Sequence, residues 1–203
     1  MKLPIDIDDV KGFMPKAEGE ALYAIALEHA GKGPIVEIGT YCGKSAVYIG
    51  TACKLSKSHL FAIDHHRGSE ENQPDWEHHD PETWDSQANA MDTLPFLRTT
   101  LRKAGLEETV VPVVGRSETI ARYWLTPLSM LFIDGGHGRE PAWTDYRVWS
   151  GKVMRGGILA IHDVFENPAD GGRPPYEIYC LAIESGLFEE IQQTGSLRLL
   201  RRL

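Results

Sequence analysis

Short runs of β-branched and aliphatic residues recur along this chain, most of them closing on a glycine or an acidic residue, and each is followed after a turn by a segment with helical spacing. That alternation dictates a parallel sheet with crossover helices, because parallel neighbours need a long connection between them. The runs at 34–38, 59–63, 110–114, 130–133 and 157–161 read as its strands. Helical spacing fills 44–54, 95–104, 117–124 and 141–149, with Pro95 in a first turn, where its missing N–H costs nothing. Ahead of the first strand, 17–29 sets Leu22, Ile25, Ala26 and His29 on one stripe before Gly31 and Gly33 stop the helix. A Pro/Gly-rich loop at 167–175 leads to a last helix and two final runs. These, at 188–193 and 197–200, are joined by Thr194, Gly195 and Ser196 as an antiparallel hairpin. At 203 residues, 42% of them hydrophobic, the expectation is one α/β domain over 1–203, with an N-terminal helical segment at 1–33. Its sheet should be doubly wound, seven-stranded and mostly parallel, with an antiparallel last strand.

Charge narrows the partners. Lys and Arg total 21 against 29 Asp and Glu, a formal net charge of -8, so the field that draws nucleic acid is missing and a small-molecule partner is expected. No apolar run reaches the roughly 18 residues that cross a bilayer, and the first ten residues lack a basic and apolar leader, so the expectation is a cytoplasmic protein without membrane partners. A homodimer stays open. Cys42, Cys53 and Cys180 have no metal-ligand spacing and read as buried free thiols. Trp124, Trp143 and Trp149 sit at helical positions and read as core.

In open α/β sheets ligands sit beyond the carboxyl ends of the strands, and here those ends are polar. The first strand runs into Glu37, Ile38, Gly39, Thr40, Tyr41, Cys42, Gly43, Lys44 and Ser45, a strand, a glycine turn and a helix start. Three ligands compete for that turn. A phosphate loop is suggested by Gly43, Lys44 and Ser45, but three residues separate Gly39 from Gly43 where the phosphate nest needs four. A dinucleotide site would need GxGxxG, which is missing. An S-adenosylmethionine pocket needs no phosphate nest and uses an acidic residue at the end of the second strand for the ribose hydroxyls, which is where Asp64 stands. Helix capping is the structural alternative for Asp64. The connection 64–85 carries His65, His66, His78 and His79 with Trp76 and Trp84, and such length marks 65–85 as a lid over the pocket. A zinc site from those histidines lacks a third ligand at fixed spacing.

The stretch VEIGTYCGKSAVYIG, 36–50, resembles motif I of the class I methyltransferases, and in particular of the catechol-type O-methyltransferases. The stretch IDGGHGREPAWTDYRVWSGKVMRGGILAIHDV, 133–164, is similar to the small bacterial branch of that superfamily, which includes sugar O-methyltransferases. The resemblance implies a Rossmann-like methyltransferase fold and S-adenosylmethionine as cofactor. It places Glu37, Gly39, Tyr41 and Ser45 along the methionine end, with Thr40 and Gly43 in the same turn, Asp64 on the ribose, and Arg116 and Ser117 by the adenine, where Ser117 also reads as an N-cap. It further implies a divalent ion, Mg²⁺ or Mn²⁺, on Asp134, His162 and Asp163, with Asp134 also facing the cofactor. Relatives generally carry an acidic residue where this chain has His162; an imidazole suits Mn, Zn or Fe better than Mg, which leaves the metal open, and a place behind the ligands is the alternative for His162. His137 falls where catechol-type enzymes place a catalytic lysine and is the expected general base. The activity implied is metal-assisted O-methylation of a saccharide hydroxyl, with a methylated mannoside of an actinobacterial polysaccharide pathway as the first acceptor to try. A catechol or phenol is the alternative acceptor, and a non-catalytic nucleotide- or metabolite-binding module is the alternative of a different class.

Overall fold

The computed structural model describes residues 1–69, 73, 79–136, 138–167 and 169–203. The strands are β1 (Ile35–Ile38), β2 (Leu60–Asp64), β5 (Val110–Val114), β6 (Leu128–Ile133), β7 (Val153–Ile161), β8 (Phe188–Thr194) and β9 (Leu197–Arg202), with a short ribbon of β3 (Trp84–Asp85) and β4 (Ala90–Met91). Among the described residues the main sheet has seven strands in the order β5-β2-β1-β6-β7-β9-β8. All its pairings are parallel except those of β9, which runs antiparallel to both β7 and β8. This is the doubly wound, Rossmann-like arrangement expected of the sequence.

Alternation of side chains along each strand sends two apolar sets to opposite faces. On one face Ile35, Leu60, Phe132 and Ile158 pack with α1 (Lys16–His29), α2 (Lys44–Leu55) and α3 (Leu94–Ala104). On the other, Val36, Ile38, Leu131 and Leu159 meet α4 (Ser117–Ala121), α5 (Arg139–Trp149) and α6 (Arg173–Glu184). Chain order reverses between β1 and β6, so their carboxyl ends lie side by side and frame a crevice.

Several boundaries differ from expectation. The helix expected over 117–124 stops at Ala121, because Trp124 packs edge-on against Phe61 and its indole N–H donates to the Thr126 carbonyl at 2.7 Å. Strand β7 begins at Val153, four residues early, its polar first half escaping the apolar pattern because it runs beyond a register irregularity opposite Leu128. The long connection is less irregular than it read: a 3-10 turn at Pro81–Thr83 and the β3–β4 ribbon lie in or just beyond it. Trp76 and His78 fall outside the described residues. Trp149 is fully buried, Trp124 and Trp143 only partly; Cys42 and Cys53 are buried, but Cys180 is half-exposed on α6. No described helix is long and apolar enough to cross a membrane.

Candidate active site

A cleft of about 810 Å³ opens at the carboxyl ends of β1, β2, β5, β6 and β7, within the range of small-molecule and cofactor sites. Its floor is the turn between β1 and α2. Gly39, at φ +83°, sits so close to β6 that a Cβ would lie 2.1 Å from the Asp134 carbonyl oxygen, so only glycine lets the two strand ends meet. The next two amides, of Thr40 and Tyr41, both donate to Asp64 Oδ2 at 3.0 Å, while the His66 amide donates to Asp64 Oδ1 at 2.7 Å. Tyr41 and His66 hold left-handed backbone conformations, φ 49° and 59°, which these bonds fix. Asp64 lines the cleft and also staples the turn to the end of β2.

Two residues expected on the cofactor stand elsewhere. Glu37 is fully buried beneath the turn and does not line the cleft; it accepts from the hydroxyls of Thr40 and of Ser45, the latter at 2.5 Å. Burial pushes its carboxyl up to about 8, against those two hydrogen bonds. Gly43 turns away as well, since a Cβ there would meet Leu97 of α3 at 2.8 Å. Gly39, Thr40, Tyr41 and Ser45 do line the cleft, joined by Lys44.

The wall beyond β5 is formed by Gly115, Arg116, Ser117 and Glu118. Arg116, not Ser117, is the N-cap of α4, and the Ser117 hydroxyl instead donates to the Asp145 carboxylate on α5. Burial raises the Asp145 carboxyl to about 6, opposed by that hydrogen bond. Asp145 was not anticipated, being one polar residue among many on α5.

Across the cleft, Asp134, His162 and Asp163 converge at the ends of β6 and β7, with one ligand atom from each lying within 4.8 Å of the others. His162 Nδ1 is 2.9 Å from Asp134 Oδ1 and 3.2 Å from Asp163 Oδ2, and Asp163 holds a left-handed φ of 55°. The other ring nitrogen, Nε2, is 2.5 Å from Oε2 of Glu18, a buried residue of α1. Burial alone would lower the imidazole pKa, but the facing Asp134, Asp163 and Glu18 carboxylates outweigh it and raise it well above its ordinary range. Burial likewise would raise Glu18, yet hydrogen bonds from His162 and Ser196 hold it below the usual carboxylate range. Glu18 escaped the sequence reading although a signal was there: it precedes Leu22 by four positions, in phase with the apolar stripe of α1.

His137 lies outside the described residues; Gly136 and Gly138, its chain neighbours, line the cleft. Of the loop histidines, His65 lines the cleft and His66 is buried with Nδ1 2.7 Å from the Thr93 hydroxyl, while His79 stands edge-on to Trp84. Among the described residues the only potential metal cluster is the Asp134, His162, Asp163 trio. The far wall comes from residues 11–14, Phe165 and residues 170–172, including Phe13 and Asp170. Phe13 lies 5.9 Å from the Tyr41 ring, and Lys11 is tied to Asp80 and Glu82 at 2.6 Å each, which draws the start of the chain onto the long connection.

A family model described as a methyltransferase domain matches residues 36–164. Similar solved structures include an O-methyltransferase from Bacillus cereus in complex with SAH, 14% identical with a TM-score of 0.66 over 94% of this chain and 83% of that one. Another is TomG from Streptomyces achromogenes, involved in tomaymycin synthesis and solved with SAM, 18% identical with a TM-score of 0.63 over 94% and 81%. The O-methyltransferase NovP is 18% identical with a TM-score of 0.69 over 92% and 79%. At these identities the likeness is one of fold.

Proposed function

The chain belongs to the methyltransferase-domain family, and from that premise we propose that it transfers a methyl group from S-adenosylmethionine to a hydroxyl of a small acceptor, with a divalent ion, Mg²⁺ or Mn²⁺, at Asp134, His162 and Asp163. The observation that carries this reading is one cleft with the Asp64-stapled glycine turn on one side and the Asp134, His162, Asp163 trio on the other. Relatives of the same fold solved with SAM or SAH support the choice of cofactor.

Bound cofactor supplies an electrophilic methyl group. Asp64 accepts from the ribose hydroxyls with the lone pairs its three amides leave over. Gly39, Thr40, Tyr41 and Ser45 line the methionine end, with Glu37 beneath holding the Thr40 and Ser45 hydroxyls in place. Arg116 and Ser117 flank the adenine, and Asp145 keeps Ser117 in position.

The donor set fits a divalent ion. One imidazole and two carboxylates present ligand atoms within 4.8 Å of one another at one end of the cleft, and Asp134, His162 and Asp163 would hold the ion there. When bound, such an ion makes an acceptor hydroxyl more acidic and stabilises the oxyanion. His137 accepts the hydroxyl proton. The far wall orients the acceptor, and its mixture of Lys11 and Asp170 with Phe13 and Phe165 suits a saccharide, whose C–H faces lie on aromatic rings while its hydroxyls meet polar groups. A methylated mannoside is the first acceptor to test. The exposed Phe13 ring beside Tyr41 favours a planar phenol as the second reading.

The test is product analysis by mass spectrometry with isotope-labelled cofactor, offered methylated and unmethylated mannosides and a catechol, with and without chelator. A labelled methyl ether on a mannoside, lost in chelator, is the expected result. Tight cofactor binding with no methylated product from any hydroxyl acceptor would make the chain a binding module instead.

A further inference from the structure

Glu18 lies outside every residue set considered for the reaction, yet it is among the most completely engaged carboxylates of the molecule. Its side chain and that of His162 are each 5% exposed. Oε1 accepts from the Ser196 amide at 2.8 Å and the Ser196 hydroxyl at 3.2 Å, and Oε2 faces His162 Nε2 at 2.5 Å. The β8–β9 turn is shaped around it, since a Cβ at Gly195 would fall 2.2 Å from Oε1. An amide N–H can only donate, so the Ser196 amide fixes Oε1 as an acceptor, while Oε2 faces the imidazole and takes only a longer contact from the Ser196 hydroxyl, at 3.3 Å.

We infer that Glu18 is the positioning residue that makes His162 an Nδ1 metal ligand, and that the centre therefore takes Mn²⁺ in preference to Mg²⁺. This rests on the divalent-ion reading above. With the Nε2 proton held by Glu18, Nδ1, the nitrogen that faces Asp134 and Asp163, is the one that would give up its proton to an arriving ion and offer it a lone pair. A nitrogen donor beside two carboxylates favours a transition ion over the harder Mg²⁺. The carboxylate comes from the first helix, 144 residues before the histidine it orients, so α1 sets the ligand character of the centre without touching the ion.

Glu18→Gln tests this with almost no change of shape. Ser196 keeps the amide oxygen, so the amide NH₂ must face Nε2, which then accepts; the ring proton moves to Nδ1 and removes the ligating lone pair. Mn²⁺ alone is titrated into the full-length protein and followed by calorimetry and by electron spin resonance, which also detects nitrogen coupled to the manganese. Wild type should bind Mn²⁺ more tightly than Mg²⁺ and show imidazole nitrogen coupling. Glu18→Gln should bind Mn²⁺ about 10- to 100-fold more weakly. His162→Asp should bind without nitrogen coupling, and adding Glu18→Gln to it should change nothing further. If Glu18→Gln binds Mn²⁺ within twofold of wild type, Glu18 is only a structural tie and the inference fails. Wild-type Mn²⁺ without nitrogen coupling overturns it whether or not the variant folds. Wild type that binds no ion at all removes the divalent-ion reading itself, leaving Glu18 and His162 as an ion pair that closes α1 onto the sheet.

Discussion

Replacing Asp64 by alanine should destabilise the protein before any cofactor is present. A carboxylate that served only the ribose would leave the apo fold indifferent to its loss, but three backbone amides donate to this one, from Thr40, Tyr41 and His66. Bonds to a charged group contribute about 1.5–3 kcal/mol each when buried; Asp64 borders the cleft, where water replaces part of each, so about 1 kcal/mol apiece is the better figure. The sum is then about 3 kcal/mol, slightly reduced because Tyr41 and His66 relax from left-handed conformations once released. Asp64→Asn keeps an oxygen for Thr40 and Tyr41 but sets an NH₂ against the His66 amide, so it should cost about half as much. Urea unfolding of the apo proteins, followed by circular dichroism, should rank wild type above Asn above Ala with unchanged slopes. Apo Asp64→Ala within about 0.5 kcal/mol of wild type would refute the staple and leave Asp64 a ligand contact alone.

Glu37 gives a pH test: its carboxyl is raised by burial from an ordinary 4.5 to about 8, so its stabilising contribution is whole below about pH 4.5 and is lost as pH rises through about 8. The stability of wild type relative to Glu37→Gln should therefore fall across that window, by an amount on the order of a few kcal/mol, and parallel melting curves would contradict the assignment. Gly39→Ala should cost about 3 kcal/mol or more, because the clash at 2.1 Å is with backbone; a variant that unfolds in urea like wild type would mean that β1 and β6 separate readily. His137→Ala should lower kcat by roughly 10²- to 10⁴-fold while calorimetry shows unchanged cofactor affinity, and a drop of less than tenfold would reduce His137 to a positioning role.

What was legible in the sequence was whatever local pattern decides. β-branched runs ending in Gly39, Asp64, Gly115, Asp134 and His162 placed the strand ends, and the doubly wound topology put those ends on one cleft. The misses arise where a side chain's partner is far along the chain. Glu18 and His162 are separated by 144 positions and Ser117 and Asp145 by 28, and no periodicity reports such pairings. Glu37 illustrates the converse, because motif likeness carries a residue's identity but not whether its carboxylate faces the ligand or the layer beneath.

The far wall of the cleft has a consequence for how such an enzyme diverges. Residues 11–14, Phe165 and residues 170–172 lie outside the 36–164 stretch shared with the family, whereas the turn, Asp64, the β5 wall and the acidic trio lie inside it. The flanks meet that stretch where Phe13 lies against Tyr41 and Lys11 pairs with Asp80 and Glu82. On the proposed reading, grafting both flanking segments from a relative, together with the residues they touch, would transplant the surface that meets the acceptor and should change which hydroxyl compound is methylated.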